Sequence, residues 1–146
     1  PYLTFPFCDS LRTVREKGVE VNIITPEHNN VRLLSEYIIQ EAMHANFRLY
    51  LYRPRMNHLK AILIDDKTLI LGSSNFECIS YNLLQEIVAV ITQREIIDEF
   101  IQRVIKKDIG ESNVINEHRM NYVRRLFIFI VRRFARLANW SGRDNR

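Results

Sequence analysis

The sequence predicts an α/β fold, a mixed β-sheet flanked by helices, followed by a basic amphipathic helix at the C-terminus. Three observations predict it. Short runs rich in β-branched and aliphatic residues alternate with stretches of helical periodicity. Hydrophobic residues make up 47% and charged residues 26% of 146, the balance of a soluble domain long enough to bury a core. From Asn121 onward the pattern changes to arginines interleaved with an apolar stripe.

The elements follow in order. Ser10 to Lys17 reads as a short helix, capped by Asp9 or Ser10 and closed by Gly18. Val19-Glu20-Val21-Asn22-Ile23-Ile24 alternates as a strand and is expected to stop at Thr25-Pro26. Val31, Leu34, Ile38 and Ile39 fall at helical spacing, which predicts an amphipathic helix from Asn30 to Ala45. Phe47 to Tyr52 is the next strand. His58 to Ile64 reads as a strand ending in the turn Asp65-Asp66-Lys67-Thr68, with Leu69-Ile70-Leu71 as its return. Glu86 to Ile91 is an apolar strand with an acid at its entrance, and Gln93 to Lys107 a helix. Two regions are expected, 1–110 and 111–146.

Composition narrows the partners. A net charge of +4 and a pI near 9.3 suggest an anionic partner, either lipid headgroups or nucleic acid. Cys8 and Cys78 lie far apart without a CxxC or a His/Cys cluster, so they are read as reduced thiols of a cytosolic compartment. No apolar run approaches the ~20 residues of a membrane-spanning helix. The chain opens at Pro1-Tyr2-Leu3, and the expectation is the C-terminal part of a longer protein.

The densest chemistry lies between His58 and Asn75. In an extended segment His58 and Lys60 project to one side, about 7 Å apart, within reach of a single phosphate. The return strand delivers Gly72-Ser73-Ser74-Asn75 to the same end. Glycine allows close backbone approach, and the hydroxyls and amide offer neutral hydrogen-bonding groups to phosphate oxygens.

His58, Lys60, Asp65, Gly72, Ser73 and Asn75 together match H-x-K-x4-D-x6-G-[GS]-x-N, and the chain thereby resembles the phospholipase D superfamily. The preceding segments, Pro1-Tyr2-Leu3, Lys17-Gly18-Val19-Glu20-Val21 and Leu49-Tyr50, resemble the second half of a bacterial cardiolipin synthase-like enzyme. The likeness covers about residues 1–107. Two departures stand out: Ile79 occupies the place of an arginine, and Leu84 that of an asparagine.

The resemblance implies a set of roles. His58 attacks phosphorus and forms a phosphohistidine; Lys60 and Asn75 hold the non-bridging oxygens, with Ser73 adding a hydroxyl. Glu86 orients the imidazole, and Asp65 supports the turn and the site geometry. No metal or cofactor is implied. The chemistry needs a second motif histidine as general acid, and neither His28, His44 nor His118 sits in such a pattern. The expected partner is therefore a second half-domain, either a missing N-terminal half or a copy in a homodimer. The activity implied is a phosphodiesterase or phosphatidyltransferase on anionic phospholipid, working peripherally at the cytoplasmic face of a membrane. The alternatives are a homodimeric endonuclease and a non-catalytic half-domain.

In the C-terminal segment Val123, Leu126, Phe127, Ile130, Phe134 and Leu137 form one stripe beside Arg124, Arg125, Arg132, Arg133 and Arg136. Such a helix suits either an anionic membrane interface or docking on the domain. The apolar stripe tilts the substrate expectation toward lipid.

Overall fold

The structure, a computed structural model, describes residues 7–28, 32–75, 84–115 and 129–130. Helix α1 (Phe7–Glu16) leads into strand β1 (Asn22–Pro26), helix α2 (Arg32–His44) and strand β2 (Arg48–Tyr52). Strands β3 (Ala61–Ile64), β4 (Thr68–Gly72) and β5 (Val88–Ile91) follow. The chain then forms α3 (Arg94–Phe100), a π-helical stretch (Ile101–Ile105), α4 (Lys106–Gly110) and β6 (Ser112–Ile115).

Local chemistry explains the helix ends. At the end of α1 the amide of Gly18 donates to Arg15 O at 3.0 Å and that of Val19 to Val14 O at 3.2 Å. This paired closure requires a left-handed residue, and Gly18 supplies it with φ +90°. The end of α2 repeats the device with Asn46 at φ 55°: Asn46 N donates to Met43 O at 3.1 Å and Phe47 N to Ala42 O at 2.9 Å. Phe47, 4% exposed, is thereby turned into the core as β2 begins.

The fold class is the expected one, but the strands divide into two sheets. In the first, of order β1-β2-β6, β1 runs parallel to β2 from Asn22↔Arg48 to Pro26↔Tyr52. Helix α2 is their crossover. Pro26 belongs to β1 rather than ending it, because an edge strand tolerates a residue without an N–H. β6 joins β2 antiparallel on the other side, from Leu49↔Ile115 to Tyr52↔Ser112. It lay beyond the expected boundary at 110, and the compact unit it belongs to extends to Asn116. The second sheet, β3-β4-β5, is antiparallel throughout. Residues 58–60 precede β3, and Glu86 precedes β5.

Cys8, Val21, Ile39, Ala42, Phe47 and Leu49 form one buried cluster where α1 and α2 meet the first sheet. Glu41, 3% exposed, lies beside it, accepting from Arg12 Nη2 at 2.5 Å and from Cys8 Sγ at 3.8 Å. A buried carboxylate is tolerable there because a guanidinium meets it.

Burial, and after it the Glu41 carboxylate, push the Cys8 thiol from its ordinary 9.0 up to about 11. The folded protein thus holds this proton more tightly than the unfolded chain. The resulting stabilisation is complete below pH 9 and is lost as pH rises through about 11, roughly 2–3 kcal/mol in all. Denaturant unfolding of wild type and Cys8→Ala at about pH 8 and about pH 11 checks this, with a loss on alkalinisation about 2 kcal/mol larger for wild type. Parallel losses would contradict it.

Cys78 and most of the segment 121–140 lie outside the described residues. Phe129 and Ile130 are described, helical, and 62% and 43% exposed.

Candidate active site

The second sheet brings three chain segments to one end. β4 is its central strand, and its last residue pairs on both sides. Gly72 N donates to Lys60 O at 3.2 Å, just ahead of β3. Ser73 N donates to Ile87 O at 3.0 Å, just ahead of β5. The close of β4 therefore stitches the His58–Lys60 segment to Glu86-Ile87. Gly72 has a steric reason to be glycine. A Cβ there would lie 2.4 Å from Ile87 O, 2.6 Å from Val88 Cγ1 and 2.9 Å from Val88 Cα.

His58 is exposed and Lys60 only 8% exposed. The Lys60 ammonium lies 2.9 Å from His58 Nδ1 and 3.0 Å from Nε2, and donates to His58 O at 3.0 Å. It can donate to whichever ring nitrogen carries the lone pair. The two side chains act on one spot, although β3 begins only at Ala61 and the strand itself does not carry them.

On the other side of β4, Ser73 Oγ donates to Glu86 Oε2 at 2.5 Å and accepts from Ile87 N at 3.1 Å. Glu86 thus stands bonded to Ser73, while the group that touches the imidazole is Lys60. The Ser73 hydroxyl proton is directed to the carboxylate. Asn75 is half-buried two residues beyond, its carbonyl accepting from Ser74 Oγ at 3.3 Å.

Asp65 is not brought to this group. It occupies, with Asp66, the turn at the opposite end of the β3–β4 hairpin, both with left-handed φ of 50° and 52°. Lys67 N closes the turn on Ile64 O at 3.0 Å. Five extended residues place Asp65 about 16 Å from Lys60. Its role is to set the hairpin, since aspartate adopts φ > 0 more readily than most residues.

One positioning residue went unread in the sequence. Asn57 Nδ2 donates to Asp108 Oδ2 at 3.1 Å, while its Oδ1 accepts from Leu59 N at 2.9 Å. The amide clamps the backbone around His58 and ties it to α4. Burial holds the Asp108 carboxyl above its ordinary range, and the Asn57 donation opposes that rise. A local cue existed, since an asparagine accepting from the amide two residues on is an Asx turn, but its tie to α4 spans 51 positions. Asn57→Ala is expected to lower kcat about tenfold with KM changed less than twofold, because it loosens the backbone that carries His58 rather than a substrate contact. A KM effect alone, in steady-state kinetics, would contradict this placement.

The family model described as "Cardiolipin synthase, PLD-like domain" matches residues 1–108. The chain is 28% identical over 109 residues to cardiolipin synthase A of Pseudomonas entomophila (strain L48), covering 73% of this chain and 22% of that protein. It is 28% identical over 120 residues to cardiolipin synthase A of Pseudomonas aeruginosa (strain LESB58), covering 80% and 24%. The chain thus spans less than a quarter of these curated relatives. Among solved structures, Nuc from Salmonella typhimurium, a phospholipase D family member, superposes with a TM-score of 0.70 at 18% identity, over 80% of this chain and 77% of that one. NucT from Helicobacter pylori gives 0.61 at 18% identity, over 78% and 77%. At such identity these two speak for the fold alone. The chain belongs to the cardiolipin synthase, PLD-like domain family, within the phospholipase D superfamily of phosphodiesterases and phosphatidyltransferases.

Proposed function

We propose that this chain is one half of a phospholipase D-type active site that acts on anionic phospholipids through a phosphohistidine at His58. The observation that carries this reading is the imidazole of an exposed His58 held at 2.9 Å by the buried ammonium of Lys60. In the first step a ring nitrogen of His58 attacks phosphorus; the P–N bond forms and the P–O bond to the headgroup breaks. The leaving oxygen takes a proton from a general acid. In the second step an alcohol or water attacks phosphorus, its proton is removed, and the P–N bond breaks. Lys60 is suited to the non-bridging oxygens, whose charge persists through both steps. Asn75 borders the same end of the sheet as a neutral donor, while Glu86 holds the Ser73 hydroxyl proton and fixes that side chain.

The general acid belongs to a second half-domain. His28 and His44 are exposed, one after β1 and the other at the end of α2, and neither lies in the second sheet. The short span relative to the curated relatives supports a partner half, covalent or as a second copy. The basic C-terminal segment, with Phe129 and Ile130 exposed, supports peripheral attachment at the cytoplasmic face of a membrane.

The test compares headgroup release from phosphatidylglycerol vesicles with nicking of plasmid DNA, using this chain alone and joined to a second half-domain. Lipid turnover that rises with the second half supports the reading. Turnover of DNA alone would replace it with the nuclease.

A further inference from the structure

Beside His58 the surface opens into a cleft of about 290 Å³. Arg55, Arg103 and Lys107 line it against one acid, Asp108. Arg103 is paired with Glu99 at 3.2 Å and Asp108 is occupied by Asn57. Arg55 and Lys107, both exposed, have no ion pair among the described residues. The charges of both also reach the Asp108 carboxyl, yet three cations against one acid leave the cleft positive, which favours an anion, and a phosphate offers oxygens to both exposed cations.

We infer that this cleft is a second phosphate subsite, which holds a further phosphate carried on the headgroup of the lipid bound at His58. The inference rests on the lipid reading and names the substrate class: a phospholipid whose headgroup carries a phosphomonoester beyond the scissile phosphodiester. Its lip is apolar. Met56 is 44% and Leu59 38% exposed, a surface suited to the glycerol and acyl parts of a lipid. A nucleic-acid backbone would be expected to meet an exposed aromatic for base stacking. The cleft's one aromatic, Tyr52, is 4% exposed.

The test begins with binding, which needs no turnover. Glycerol 3-phosphate is titrated into the isotope-labelled chain and followed by NMR. Wild type, Arg55→Ala/Lys107→Ala and Lys67→Ala are compared, the last removing a cation at the distal hairpin turn. Saturable binding weakened at least about tenfold in the double variant and unchanged in Lys67→Ala is the expected result. Equal weakening in both, or none in either, overturns the subsite. Both altered side chains are exposed, and an unchanged unfolding midpoint confirms that the variants fold. The second arm measures turnover of phosphatidylglycerol and of phosphatidylglycerol phosphate by the chain joined to a second half-domain. The double variant should raise KM about tenfold for the latter and leave the former within twofold. An equal effect on both lipids also overturns the inference. Silence on both lipids in wild type would defeat the lipid chemistry, while the titration still decides the subsite. Binding of a short single-stranded DNA that is tighter than that of glycerol 3-phosphate, and lost in the same double variant, would transfer the cleft to nucleic acid and overturn the lipid class.

Discussion

His58→Ala is expected to lower phosphodiester turnover by about 10⁴-fold or more, with folding stability essentially unchanged. The size follows from the role proposed for the residue. Without a nucleophile the reaction loses its covalent route and keeps only binding and charge stabilisation. The small stability effect follows from exposure, since the imidazole meets solvent and is held by the Lys60 ammonium. Lys60→Ala should separate from it. The ammonium is buried and anchors His58 O as well as the ring, so its removal costs about 1–3 kcal/mol of stability in addition to activity. Initial rates and denaturant midpoints for both variants check the pair. Retention of more than a tenth of wild-type turnover in His58→Ala would point to another nucleophile.

Gly72→Ala is expected to destabilise the protein by about 2–3 kcal/mol and to cut activity about 100-fold, from a single methyl on the strand that carries no reacting group. The added Cβ would meet backbone, Ile87 O at 2.4 Å and Val88 Cα at 2.9 Å, and neither can swing away as a side-chain tip would. Relief requires moving the lead-in to β5. That motion breaks the Ser73–Ile87 hydrogen bonds and carries Glu86 with it. Thermal unfolding and kinetics would register both effects. Unchanged stability would mean that β4 and β5 can spread at this point, contrary to the packing described.

Much of this arrangement was legible in the sequence, for identifiable reasons. The apolar runs and helical stripes located the helices and five of the strands because burial imposes its period locally. β6 escaped, since Ser112-Asn113-Val114-Ile115 carries no strand alternation and owes its state to pairing with β2. The division into two sheets is likewise a matter of pairing, which no local pattern encodes. The group at the end of β4 was readable because the hairpin brings positions 58–60 and 72–75 together over a short loop. Glu86 was expected to orient the imidazole; in the structure it bonds Ser73, an arrangement that depends on how β5 enters the sheet. Asp65 was assigned to the turn and to site geometry; its left-handed backbone puts it in the turn and away from the imidazole. The Asn57–Asp108 clamp and the cationic cleft join distant stretches of chain, so only the folded protein displays them.

The central claim is that His58 becomes covalently bound to phosphorus, and the most direct measurement is to trap that adduct. In a phosphatidyl ester of p-nitrophenol the leaving group departs as the stabilised p-nitrophenolate anion and needs little help from a general acid, so one half-site suffices for the first step. The chain is mixed with this ester, quenched rapidly in base, digested, and the peptides analysed by mass spectrometry. The expected result is an acid-labile phosphatidyl adduct on the peptide containing His58, formed together with one equivalent of p-nitrophenolate and absent in His58→Ala. Release of p-nitrophenolate without an adduct, or an adduct on another residue, would contradict the account.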